Sequence, residues 1–187
     1  MADTAPTQFV ILAGLPGTGK TLLAKALAAR LGGVVLSKDE VRARLFAAAV
    51  EYSVAQNDMI MSFILRDSQK IALERSEPFV FLDGRTFSRA EQVAQVVRAA
   101  EEAGAEARVL HLHCPEAIAL QRISQDLGRH VAADRDAALY FRVKSRWEPI
   151  TVAKLDVDTS RPVEECVERC VEYLTTKDTE RTEKSVL

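Results

Sequence analysis

The sequence predicts an α/β protein, a three-layer sandwich in which helices cover both faces of a five-stranded parallel sheet. Short segments that are apolar throughout alternate along the chain with segments whose apolar residues recur at helical spacing. A strand without a polar face needs cover on both sides, and parallel neighbours need crossovers long enough for a helix. The strands are expected at 9–13, 34–36, 79–82, 107–113 and 152–157.

Helices are predicted between these strands from apolar spacing and from residues that start or stop helices. The segment Leu22–Leu31 has apolar residues at helical spacing, and Gly32 with Gly33 then ends the first helix. A polar turn is expected at 37–39, after the second strand. The later helices are expected at 40–49, 54–75, 88–103, 115–125, 136–147 and 162–175.

Composition narrows the class of protein. The chain has 187 residues, of which 48% are hydrophobic and 28% charged, and its formal net charge is -2. We expect one domain over 1–176 and a disordered polar tail at 177–187. The acidic balance argues against a general nucleic-acid binder. No apolar run approaches the roughly 20 residues of a membrane span, and the three cysteines suit a reducing cytoplasm, where we expect the protein.

One motif carries a specific chemical prediction. Gly14–Thr21 matches the pattern G-x-x-x-x-G-K-[ST] between a buried strand and an amphipathic helix. Glycines let backbone N–H groups approach phosphates, and the start of the helix adds the positive end of its dipole. Lys20 is expected to reach the outer phosphates of ATP and the Thr21 hydroxyl to bind Mg²⁺. The residues expected to contact the nucleotide here are Gly14, Pro16, Gly17, Thr18, Gly19, Lys20 and Thr21.

Two carboxylates follow predicted strands. Asp83 ends the third strand, at the edge where open α/β sheets bind ligands, and would bind Mg²⁺ or orient the substrate. A turn aspartate before Gly84 is the alternative. Asp39 follows the second strand, and Arg42 lies on the same helical face, where the pair could accept a hydroxyl proton and bind an acidic or hydroxylated group. A simple helix start with a solvated arginine fits that spacing equally well.

Four segments together resemble the small kinases of the adenylate-kinase-like group, which carry a phosphate-binding loop (P-loop). Besides that loop, the segments are Ser37–Arg42, whose D-x-x-R resembles that of phage-type polynucleotide 5′-kinases, Leu82–Phe87 and Leu155–Ser160. The resemblance spans Phe9 to about Leu174 and is closest to predicted kinases filed as AAA family ATPases and to zeta-toxin-like proteins. It implies the strand order 2-3-1-4-5.

The resemblance also implies roles for single residues. Asp39 is implied to be the base that accepts the hydroxyl proton, and 158–161, including Thr159, to border the adenine. A helical lid is implied at about 127–147. Arg122 resembles the arginine that packs on the adenine, and Arg129 resembles a lid arginine that contacts phosphate.

The sequence leaves open which arginine of the lid contacts phosphate. The family often places a second arginine four residues after the one on the adenine, and that position is Asp126 here. The lid arginine could therefore be Arg129, Arg135, Arg142 or Arg146. The last three share one helical face, which could meet phosphates or solvent.

The expected function is ATP- and Mg²⁺-dependent transfer of the γ-phosphoryl group to a hydroxyl of a small molecule. Lys20, Asp39 and Arg129 are expected to be catalytic; Asp39, Arg42, Asp83 and Arg85 to bind the acceptor; Thr21 and Asp83 to bind Mg²⁺; and Arg122 and Thr159 to bind the nucleotide. One alternative is a nucleic-acid 5′-hydroxyl kinase, which the D-x-x-R spacing favours and the acidic balance disfavours. The other is a regulatory ATPase without a true acceptor.

Overall fold

The computed structural model describes residues 5–46, 53–126 and 136–176. Within these ranges five parallel strands form one sheet in the order β2-β3-β1-β4-β5, which confirms the predicted class and strand order. The strands are β1 (Gln8–Ala13), β2 (Val34–Ser37), β3 (Phe79–Asp83), β4 (Glu106–His113) and β5 (Lys154–Asp158). Because all neighbours are parallel, every connection crosses over through helix.

The helices cover both faces of the sheet. They are α1 (Lys20–Leu31), α2 (Lys38–Phe46), α3 (Val54–Glu74), α4 (Ala90–Glu102), α5 (Glu116–Asp126), α6 (Ala137–Lys144) and α7 (Val163–Thr175). Apolar residues of α1 and α7 pack on one face, and those of α3 and α4 pack on the other. The three layers of the predicted sandwich are therefore present in the described residues.

The central strand β1 shows why both faces need cover. Phe9 and Ile11 belong to the core shared with α3 and α4, whereas Val10 and Leu12 belong to the core shared with α1 and α7. Successive side chains of a strand point to opposite faces, and all four of these are fully buried. The unbroken apolar run of β1 is thus the sequence signature of a strand covered on both sides.

The carboxyl ends of the strands meet at one edge of the sheet, and the predicted site residues follow them. The phosphate-binding loop leaves β1, α2 leaves β2, and Asp83 closes β3, where it is the register partner of Ser37. Side chains far apart in sequence are brought together here because all strands run in the same direction.

The predicted turn before α2 is wrong. The expected turn at 37–39 does not form, since β2 runs through Ser37 and α2 begins at Lys38. The Ser37 hydroxyl accepts a hydrogen bond from the Glu40 backbone N–H at 3.4 Å, so the last residue of the strand caps the helix. A serine side chain replaces the separate turn that the polar composition indicated.

The predicted lid is described only in part. Its loop, including Arg129 and Arg135, and the predicted tail at 177–187 lie outside the described residues. The helix α6 begins after Asp136, whose carboxylate caps it by accepting a hydrogen bond from the Leu139 N–H at 2.7 Å. Among the helices of the described ranges, none is both long and apolar enough to cross a membrane.

Gly33, the residue before β2, provides a test of how closely the chain packs against β3. Gly33 has a φ of +105°, and a Cβ at this position would lie 2.3 Å from the Phe79 carbonyl oxygen. Gly33→Ala should therefore lower the free energy of unfolding by at least ~3 kcal/mol, since strain and a backbone clash add together. Gly104→Ala is the matched control, because it has positive φ but no atom within 4 Å, and should cost about 1 kcal/mol. Equal losses in urea unfolding would contradict the packing of Gly33 against β3.

Candidate active site

The loop Gly14–Thr21 contacts the segments that follow β3 and β4, the two strands that pair with β1. The Gly14 N–H donates to the carbonyl oxygen of Thr86, which follows β3, at 3.0 Å. A Cβ at Gly17 would lie 2.4 Å from the Ala119 carbonyl oxygen of α5, so only glycine fits there. Within the loop the Thr18 hydroxyl donates to a loop carbonyl at 2.8 Å. The glycines thus allow close approach of the loop to the protein as well as to a ligand.

Lys20 places a cation at the centre of this loop. It is the first residue of α1, is only 4% exposed, and donates from Nζ to the carbonyl oxygens of Gly14 and Leu15 at 2.9 and 2.8 Å. The first turn of α1 contains no acidic residue. The positive end of the helix dipole and the lysine charge therefore act together, which favours a polyphosphate ligand.

Lys20 and Thr21 lie between two cavities and line both of them. The first, of about 400 Å³, lies at the carboxyl edge of the sheet, and we call it the sheet-edge cavity. The second, of about 570 Å³, lies between α1, α5 and the start of α7, and we call it the α1/α5 cavity. Predicted residues lining the first are Pro16, Asp39, Arg42, Asp83, Arg85, Arg142 and Arg146. Those lining the second are Gly17, Gly19, Arg122 and Thr159.

A hydrogen-bonded cluster around Arg122 forms one side of the α1/α5 cavity. Its guanidinium donates to the Thr159 carbonyl oxygen at 2.7 Å, to the Thr159 hydroxyl at 3.3 Å and to the Gly17 carbonyl oxygen at 3.4 Å. The Thr159 N–H donates in turn to the His113 carbonyl oxygen at 2.8 Å. Arg122, Thr159 and the phosphate-binding loop, predicted to share one ligand, are therefore in direct contact.

Apolar and uncharged groups form part of the wall of this cavity, beside the charged residues Lys25, Asp126 and Arg161. Leu22 of α1 lines it and is 63% exposed. Cys166 of α7 lines it too, and burial raises the pKa of its thiol, so the group is neutral at physiological pH. Walls of this kind suit the faces of a planar base better than a phosphate group.

Asp39 and Arg42, which were predicted to share one helical face, meet in the sheet-edge cavity. Arg42 Nη1 donates to Asp39 Oδ1 at 2.9 Å. Arg42 is only 3% exposed and also donates to Oδ1 of Asn57 on α3, which accepts a further hydrogen bond from Lys38 Nζ at 3.2 Å. The alternative of a solvated Arg42 is wrong, and Ser37 rather than Asp39 caps α2. Asp39 is thus held in a fixed position on the cavity wall.

Asp83 presents a buried carboxylate to the same cavity. It is 4% exposed, and its Oδ1 has no hydrogen-bond partner among the described residues. A buried carboxylate oxygen without a partner is costly and therefore indicates a ligand, whereas a turn aspartate would use its oxygens on nearby backbone N–H groups. Carboxylate, hydroxyl and phosphate oxygens are what Mg²⁺ prefers, so Asp83 and Thr21 fit this ion.

The sheet-edge cavity also contains polar residues that were not predicted from the sequence. One of them, Asp58 of α3, forms an ion pair at 3.1 Å with Arg85, which was predicted. Asn57 of α3 and two residues at the start of α4, Arg89 and Gln92, line the cavity as well. Their positions depend on how α3 and α4 pack, which no local motif records.

The other predicted residues either line neither cavity or lie outside the described residues. Gly14 and Thr18 line neither cavity and instead build the loop through the hydrogen bonds given above. Arg129 lies outside the described residues. Of the four candidate lid arginines, Arg142 and Arg146 line the sheet-edge cavity.

Comparison with solved structures shows where this fold recurs. The structure is similar to a gluconokinase from Sinorhizobium meliloti 1021, with a TM-score of 0.64, 15% identity, and coverage of 91% of this chain and 93% of that chain. It is similar to the Mycobacterium tuberculosis APS kinase CysC in complex with AMPPNP and APS, with a TM-score of 0.65, 18% identity, and coverage of 92% and 99%. It is also similar to Chaetomium thermophilum Kti12 in complex with ADP-AlF3, with a TM-score of 0.64, 14% identity, and coverage of 90% and 100%.

At these identities the structural similarity shows the fold alone, which is that of small P-loop kinases. A search of curated protein sequences gives no match. The model of a family described as an AAA domain (AAA_33) matches residues 9–149. This match runs from β1 through the segment after α6 and includes the loop Gly14–Thr21 together with Asp39 and Asp83. The chain therefore belongs to the AAA_33 family of AAA domains.

Proposed function

We propose that this protein is a kinase that transfers the γ-phosphoryl group of ATP to a hydroxyl of a small molecule. The observation that carries the proposal is that Lys20 and Thr21 line two cavities at once. The α1/α5 cavity, with Leu22, Cys166 and Arg122, suits the base and sugar of a nucleotide. The sheet-edge cavity suits an acceptor, so the two substrates would meet at the loop that holds the outer phosphates.

The proposed transfer step involves Asp39, Arg42 and Lys20. The acceptor oxygen forms a bond to the γ-phosphorus, the bond from that phosphorus to the bridging oxygen of ADP breaks, and Asp39 takes the hydroxyl proton. Arg42 binds Asp39 Oδ1 and so fixes the carboxylate in the cavity. Lys20 stabilises the charge on the transferring group.

The predicted Mg²⁺ would be held by the Thr21 hydroxyl and the Asp83 carboxylate. When bound, the ion would neutralise phosphate charge. Asp83 supports this role because its Oδ1 is buried and has no partner in the described part of the chain. The role of Arg129 as a lid arginine remains a prediction.

A screen of hydroxylated metabolites for acceptor-dependent ADP release tests the proposal as a whole. An acceptor that speeds ADP release and carries the phosphoryl group afterwards supports a small-molecule kinase. Transfer to 5′-hydroxyl oligonucleotides alone would favour a nucleic-acid kinase. Slow ATP hydrolysis that no acceptor changes, and that Asp39→Asn does not alter, would favour a regulatory ATPase.

Removing the loop cation should abolish transfer. Lys20→Ala removes the charge at the outer phosphates, so MgATP affinity should fall ~10-fold or more and turnover should be lost. Calorimetry and ADP-release assays measure the two effects. Lys70→Ala, on an exposed side chain of α3, is the control and should change neither. Wild-type affinity and turnover in Lys20→Ala would contradict the nucleotide site.

Neutralising the proposed base should separate chemistry from binding. Asp39→Asn keeps a hydrogen-bond acceptor for Arg42 but cannot take the hydroxyl proton, so transfer should fall by ~10²-fold or more with MgATP affinity retained. Asp67→Asn, at an exposed position of α3, is the matched control. Chemical denaturation checks that both variants are folded. If Asp39→Asn is only less stable, with normal transfer by its folded fraction, Asp39 is not the base.

Arg122 should act on nucleotide binding. Arg122→Ala removes the contacts to Thr159 and Gly17, so the dissociation constant of MgATP should rise ~10-fold while kcat at saturating ATP changes much less. Arg30→Ala, on the exposed surface of α1, provides the comparison. A defect in kcat with unchanged ATP affinity would instead place Arg122 on the transferring group.

A further inference from the structure

The sheet-edge cavity is positively charged although the chain is not. Its described walls contain seven cationic and three acidic side chains, whereas the formal net charge of the chain is -2. Like charges gathered in a cleft repel each other and raise the local concentration of counter-ions. The cavity is therefore suited to anions, and the contacts of each cation show which of them already has a partner within the protein.

Four of the seven cations have a partner or a role. Lys20 belongs to the phosphate-binding loop, and Lys38 donates to Asn57 at 3.2 Å. Arg42 and Arg85 form ion pairs with two of the three acids of the cavity. The third acid, Asp83, is the proposed Mg²⁺ ligand. These four cations therefore already have a partner in the protein or a role in the phosphate-binding loop.

The other three cations are Arg89 and two of the candidate lid arginines, Arg142 and Arg146. All three are exposed, and none forms an ion pair with a residue of the described ranges. Two hydrogen bonds tie the segments of Arg89 and Arg146 together: the Glu148 N–H donates to the Ser88 carbonyl oxygen at 2.8 Å, and the Glu148 carboxylate accepts from the Ala90 N–H at 2.8 Å. Arg89 lies between these two residues of the α4 start, and Arg146 lies two residues before the glutamate.

Gln92 adds a polar group on the same side of the cavity. It lies in the first turn of α4 and lines the cavity, and its backbone N–H donates to the Arg89 carbonyl oxygen at 3.0 Å. Its Oε1 is buried and has no hydrogen-bond partner among the described residues. An oxygen of this kind can accept a hydrogen bond from a hydroxyl group, which an anionic alcohol would supply next to its charge.

We propose that Arg89, Arg142 and Arg146 bind an anionic group of the acceptor. The substrate class is then a small molecule with a hydroxyl group that also carries a carboxylate, a sulfate or a phosphate. Bound MgATP would offset only part of the positive charge of the cavity, because Mg²⁺ neutralises part of the phosphate charge. Guanidinium groups suit all three anions through paired hydrogen bonds. The inference rests on the proposed kinase function and names its substrate.

Binding of inorganic sulfate tests the anion site without any turnover. The protein is first saturated with Mg²⁺ and AMPPNP, so that the phosphate-binding loop is filled, and sulfate is then titrated at constant ionic strength. NMR spectra of backbone and arginine side-chain N–H groups follow the binding. We expect saturable binding with the largest shifts at the three arginines. In the triple variant Arg89→Gln, Arg142→Gln, Arg146→Gln, the dissociation constant should rise at least ~10-fold.

A charge-matched variant separates a site from a general charge effect. Arg30→Gln, Arg66→Gln and Arg98→Gln together remove the same net charge from exposed positions that line neither cavity. This control should bind sulfate as the wild type does. Absence of saturable binding in the wild type, or an equal loss in the two triple variants, would overturn the inference.

Turnover gives the second arm of the test. ADP release is compared for matched pairs that differ in the anionic group: gluconate with glucose, glycerate with glycerol, and glycerol 3-phosphate with glycerol. For pairs that support transfer, kcat/KM should be at least ~10-fold higher for the anion, and the cavity triple variant should remove this preference through KM. Equal values within such pairs would overturn the inference. Sulfate binding without transfer to any hydroxyl would contradict the kinase function and leave the anion site in place.

Discussion

The parallel pairing of β1 with β3 on one side and with β4 on the other is the constraint on which the rest of the structure depends. It brings the exits of all three strands to one edge, so the phosphate-binding loop is held from both sides. The Gly14 N–H bonds to the segment after β3, and Gly17 packs on the backbone of α5, which follows β4. A loop fixed in this way can present its N–H groups without reorganising when phosphate binds.

Charged side chains are distributed unevenly between the sheet-edge cavity and the rest of the protein. The chain has a formal net charge of -2, yet cations outnumber acids in the sheet-edge cavity. Ion pairs near the loop, between Arg42 and Asp39 and between Arg85 and Asp58, hold side chains in place more than they add stability. Arg89, Arg142 and Arg146 are exposed, so solvent and salt screen their charges.

The proposed function assigns the two substrates to different cavities. The α1/α5 cavity combines Leu22, Val163 and Cys166 with the Arg122–Thr159 contact, whereas the sheet-edge cavity contains three carboxylates and seven cations. A donor and an acceptor bound on either side of Lys20 would face each other without competing for the same groups. Such placement contributes to rate by fixing the reacting atoms close together.

The sequence by itself determined the parallel sheet, the phosphate-binding loop and the placement of Asp39 and Arg42 on one helical face. Each of these depends on local spacing: an apolar run, a glycine pattern, or two side chains one helical turn apart. It misplaced the start of α2, because a serine that ends a strand can also cap a helix. Only the tertiary structure brought Asn57 to Arg42, Asp58 to Arg85 and Gln92 to the cavity wall. Those contacts depend on how α3 and α4 pack on the sheet, and packing joins residues at separations that no sequence period records.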